Sequence, residues 1–168
     1  MPIITLTTDL GLTDYYIAAV KGTLYSLIPD VQIVDISHQI PKHDLMKAAF
    51  NLKYAFQDFP KGTIHILSVN SIETEQYGHV IFEYKGHYFI GADNGVFSII
   101  LDEDPKQVFQ LKKEKSDFIS TFPTKEVFSK AAAHVAKGGK LDKIGFKIDG
   151  LRKALLPAAT VSDDYIRG

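Results

Sequence analysis

The chain has 168 residues, 45% of them hydrophobic, enough for one ordinary core. Nineteen Lys and Arg against twenty Asp and Glu leave a net charge of -1, and no basic block is present to track a phosphate backbone, so nucleic acid is not an expected partner. The lack of cysteine excludes disulfides, thiolate metal sites and a cysteine nucleophile, and with neither a long apolar run nor an export signal the expectation is a cytoplasmic protein that makes no membrane contact.

Ile3 to Thr7 is short, apolar and β-branched, and the TDLGLTD that follows supplies turn chemistry, so the first element reads as a strand running into a loop. From Asp14 onward Ile17, Val20, Leu24, Leu27 and Ile28 recur at helical spacing until Pro29 stops the run. Val31 to Ile36 is the second strand. Asp44 then caps a helix whose apolar positions are Leu45, Ala48, Ala49, Leu52 and Phe56. Thr63 to Val69 is the third strand. Strands alternating with helices predict parallel pairing through right-handed crossovers.

His79 to Lys85 and His87 to Gly91 flank Gly86 and predict a tight hairpin, which makes the sheet mixed. Ala92 to Gly95 is a turn cluster before the apolar Val96 to Leu101, and Val108 to Leu111 adds a short strand ahead of the solvated KKEK. Lys125 to Lys137 is the last helix the pattern supports, ended by Gly138 and Gly139. The predicted architecture is α/β, a mixed and largely parallel central sheet with helices on both faces. Residues 1–150 form one domain, and 151–168, with no helical or strand period, read as a truncated linker.

In open α/β sheets ligands gather beyond the carboxyl ends of the strands, where Thr7, Thr8, Asp9, Gly11 and Asp14 fall. Asp9 can accept two ribose hydroxyls and Asp14 can hold a cation. In the alternative, purely structural reading, Thr13 and Asp14 cap the helix and Asp9 ties down the turn. Asp35, Ser37, His38 and His43 form a second polar group, but two loop histidines five apart lack metal-ligand geometry, so no metal is expected. His38 is read as a hydrogen-bonded loop residue, and His65, His79, His87 and His134 as surface or partly buried packing residues. No GxSxG, GxGxxG or Walker loop occurs.

ITLTTDLGLTDYY, KGTLYSLIPDVQIVDISHQI, FPKGTIHILSV and ADNG, in this order, resemble the S-adenosylmethionine (SAM) hydroxide adenosyltransferases and the related SAM-dependent halogenases. The resemblance implies a homotrimer whose subunits carry a further β-barrel-like carboxy-terminal domain, absent from these 168 residues, with active sites between neighbouring subunits. It implies SAM or adenosine as ligand and an in-line displacement at ribose C5′ with no cofactor. Asp9 matches the ribose-binding carboxylate and Asp14 the one that holds the methionine ammonium. His43 matches a variable pocket position, and Phe122 and Thr124 match the wall near the nucleophile.

The hydrolases also resemble one another in an Asp, Arg, His set that activates water. Here Asn70 stands in the aspartate's place, Gln76 near the arginine's, and Pro123 in the histidine's, and none of these can take a proton at neutral pH. Three functions stay open: SAM cleavage by a rearranged site, a binding module for SAM or adenosine, and a structural trimer subunit. Outside the family the best reading is a metal-dependent phosphohydrolase with a divalent ion between Asp9, Asp14 and Asp93.

Overall fold

The computed structural model describes residues 1–113 and 119–154, together with the backbone of 160–161 and 166–167. β1 (Ile3–Thr8) is buried along almost its whole length because it pairs in parallel on both sides, with β2 (Gln32–Ser37) and β3 (Ile64–Ser68). β5 (His87–Ala92) continues the parallel set beside β3. β4 (His79–Tyr84), β6 (Val108–Leu111) and β7 (Gly145–Ile148) then add antiparallel pairings, giving a seven-stranded mixed sheet in the order β2-β1-β3-β5-β4-β6-β7. The β4–β5 hairpin turns through Lys85 and Gly86, with φ of 51° and 83°, the left-handed pair that a two-residue connection requires.

Helices cover both faces. On one, α1 (Tyr16–Leu27) buries Ile17, Val20 and Leu24, with α4 (Ser129–Ala136) beside it, over Ile4, Leu6, Ile66 and Ile90. On the other, α2 (Leu45–Ala55) and the short α3 (Val96–Ile100) lie over an aromatic cluster of Phe56, Phe82, Phe89 and Phe97. Asp44 caps α2 as expected, its Oδ1 accepting from the Lys47 amide at 2.8 Å. α3 needs close approach at β5: a methyl group on Gly91 would stand 2.6 Å from the Leu67 carbonyl and 2.9 Å from the Phe97 ring. Gly91→Ala is therefore expected to cost about 2 kcal/mol, read as a lower urea midpoint at unchanged slope.

Three expectations need correction. α1 starts at Tyr16, not Asp14, and neither Thr13 nor Asp14 caps it. The last long helix opens at Thr124 with a single π turn through Phe128 before becoming α4. It is followed by the short α5 (Leu141–Ile144) and by β7, whose four-residue spans are too short to show a period. Within 151–168, Leu151 is buried in the aromatic face, and β8 (Thr160–Val161) pairs with β9 (Ile166–Arg167). Part of KKEK and much of 155–168 fall outside the described residues.

Candidate functional site

β1 leads to β2 through α1 on one face, and β2 leads to β3 through α2 on the other. The chain leaving β3 runs the other way along the sheet, to β4, so the connections that leave β1 and β3 diverge at their carboxyl ends, the switch point at which open α/β sheets form their ligand crevice. Asp9 emerges at its centre. Its amide donates to the Ser68 carbonyl (3.3 Å), and its Oδ2 accepts from the Asn70 amide (3.2 Å), so one carboxylate oxygen fixes the facing loop. Gly11, with φ of 73°, carries the chain back to donate to the His38 carbonyl at 2.8 Å.

Under the crevice lies a chain of hydroxyls. Ser68 Oγ is 2.9 Å from Ser71 Oγ and 2.5 Å from Thr124 Oγ1, with Ser68 and Thr124 both buried. Thr124 occupies the π turn, a distortion that recurs at functional sites because it re-aims one side chain. Phe122, two residues earlier, meets the Tyr16 ring edge-on at 5.3 Å. On the opposite side His38 Nδ1 and the Thr8 hydroxyl share a 2.9 Å hydrogen bond, and His38 Nε2 lies 3.0 Å from Asp35 Oδ1. Burial raises the Asp35 pKa, but hydrogen bonds from Lys21 and His38 outweigh it and hold the carboxyl below its usual range.

The structure thus brings Asp9, Asn70 and Thr124 together, with Phe122 adjoining. Asp14 and His43 stand exposed in the β1–α1 and β2–α2 loops of the same sheet edge. His43 and Asn70 both hold left-handed backbone, with φ of 66° and 48°. Such conformations in residues other than glycine persist where the surroundings impose them, and they gather at ligand sites. Gln76 is exposed in a turn, and Pro123 opens the π turn with an ordinary φ of -61°. Asn94 Nδ2 donates to the Val69 and Asn70 carbonyls (3.0 Å each), fixing the loop from β5.

Asp93, the third carboxylate of the cation reading, is already engaged: its Oδ1 accepts from the Arg152 amide (2.9 Å), and burial pushes its pKa up against that bond. Among the described residues no group of three or more His, Cys, Asp or Glu stands close enough to hold a metal ion.

Residues 4–145 match the model of the SAM hydroxide adenosyltransferase N-terminal domain. The chain belongs to this family. It is 29% identical over 167 residues to an (R)-S-adenosyl-L-methionine hydrolase of Methanocaldococcus jannaschii, covering 93% of this chain and 63% of that one. It is also 29% identical to the enzyme of the same name from Thermus thermophilus, covering 90% and 64%. A fluorinase of an Actinoplanes species is 24% identical, over 99% and 66%. Among solved structures, a conserved protein of Thermus thermophilus superposes with a TM-score of 0.73 at 30% identity, over 92% of this chain and 62% of that one. A protein of Thermotoga maritima at 24% identity and TM-score 0.79 shares the fold. The chain therefore spans somewhat under two thirds of the length of the SAM hydrolases it resembles.

In this family member the sequence reading missed Ser68, Ser71 and Asn94 as parts of the site. Ser68 was findable: it ends the strand beside β1, where a ligand-facing residue belongs. Asn94 lies within the ADNG tetrapeptide, but nothing in that local sequence shows its amide crossing to the β3 loop.

Proposed function

We propose that the protein binds SAM and cleaves it by displacement at ribose C5′. The observation that supports this best is Asp9, set at the switch point with one carboxylate oxygen on the Asn70 amide and the other with no partner among the described residues. In this reading Asp9 accepts the ribose hydroxyls. Asp14, exposed and capping nothing, pairs with the methionine ammonium. Water attacks C5′, the new O–C bond forms as the C–S bond breaks, methionine leaves with the electron pair as a neutral thioether, and the proton passes to solvent. Asn70, Gln76 and Pro123 supply no base, so the site works by orientation and by excluding water from around the nucleophile, with Phe122 as wall and the Ser68–Thr124 hydroxyls as a fixed floor. SAM or adenosine binding without cleavage is the second reading, favoured by those same three side chains.

The test incubates the protein with SAM, with and without halide, and follows adenosine, halogenated adenosine and methionine. Equimolar adenosine and methionine are the expected products. Saturable SAM binding without turnover selects the second reading, and absence of binding overturns both.

A further inference from the structure

A cavity of about 570 Å³ lies between β6, α5 and the helix that begins at Thr124, away from Asp9, Asp14, His43 and Asn70, none of which line it. Its volume falls within the roughly 300–1,000 Å³ that small-molecule sites occupy. Leu111, Val127, Ala131 and Ile144 make an apolar floor. Lys112, Lys113, Lys130 and Lys143 stand around it with Glu73 and Glu126.

The glutamates are already engaged. Glu73 pairs with Lys113 at 3.1 Å, and a Glu126 oxygen accepts from the Ser120 hydroxyl at 2.5 Å. Among the described residues the Lys112 ammonium donates to a neutral group alone, the Lys143 carbonyl at 3.3 Å. His79 is buried at the inner end. Its Nε2 meets the Ser71 carbonyl at 2.8 Å; a carbonyl only accepts, so Nε2 carries the hydrogen and Nδ1 is left as an acceptor.

We propose that this cavity is a second ligand site, for a small amphipathic anion: an apolar body of one or two rings carrying a carboxylate, sulfonate or phosphate held by the rim lysines. The apolar floor takes the body and the Lys112 and Lys143 ammonium groups take the oxyanion. The site stands independently of SAM chemistry. It shares the segment from Ser120 to Val127 with the crevice, and the His79–Ser71–Ser68 hydrogen bonds join the two, so an occupant is felt at Thr124.

Anilinonaphthalene sulfonate is the probe. Titrated into the folded protein, it is expected to give a saturable fluorescence rise with one site per chain, weakened by salt. Ala131→Phe, which drives a ring into the floor, is expected to abolish that rise, and K112E/K143E to lower affinity about tenfold, both with a cooperative thermal transition retained. No saturable rise overturns the proposal. So does a rise that K112E/K143E leaves unchanged, which would place the dye on another surface, such as exposed Met46, Phe50 and Tyr54. Should Ala131→Phe fail to fold, the charge-reversed variant decides alone.

Discussion

Asp9→Ala is expected to weaken SAM binding about hundredfold, the loss that follows when two hydrogen bonds to a charged acceptor are removed together. The structural cost is small by comparison. Among the described residues only the Asn70 amide bond to Asp9 Oδ2 is lost on the protein side, about 1 kcal/mol, and the Asp9 amide still donates to Ser68. Asp9→Asn keeps the shape and one acceptor, so its affinity is expected to fall between the two. Calorimetric titration with SAM checks the ordering, and urea unfolding of both variants separates ligand loss from fold loss. Equal affinity of all three proteins would remove Asp9 from ribose recognition.

That prediction depends on a feature legible in the sequence: a β-branched strand that breaks into TDLG has to deliver Asp9 to the carboxyl edge of a parallel sheet. The crossovers, the hairpin and the Asp44 cap were legible for the same reason, since each is set by local spacing or turn chemistry. Contacts that depend on tertiary register were not. The pairing of Ser68 with Thr124 joins residues 56 apart, and the hold of Arg152 on Asp93 and on the Gln76 carbonyl joins the chain's later segment to the site loop. Asp14 shows the reverse case. Sequence alone favoured a structural role for it as a helix cap; the helix starts at Tyr16, and the capping interaction that would have explained its carboxylate is not made.

The histidines show how far burial departs from composition. His65, His79 and His87 were expected at the surface or half-covered, yet all three are buried. His65 sits on β3 between Phe56, Phe59 and Phe89. It shares hydrogen bonds with the Thr5 hydroxyl at 2.7 Å and with His87 Nδ1 at 3.2 Å. A neutral ring satisfies this arrangement: one nitrogen accepts from Thr5 while the other donates to His87. Adding a proton places a charge where water does not reach and turns both ring nitrogens into donors.

Burial first, and then the neighbouring His87, push the His65 pKa from 6.5 down to about 3. The unfolded chain therefore binds this proton more readily than the native one, and the stability due to neutral His65 is complete above pH 6.5 and drains away as pH falls toward 3. By about pH 5 the loss from this one residue reaches about 2 kcal/mol. His79 and His87, also lowered by burial, act in the same direction. Urea unfolding at about pH 7, 6 and 5 measures the slope. His65→Gln, which bonds but does not titrate, is expected to be less stable at pH 7 yet to lose about 2 kcal/mol less on acidification. Parallel slopes for the two proteins would assign the acid sensitivity to other groups and leave His65 a packing residue.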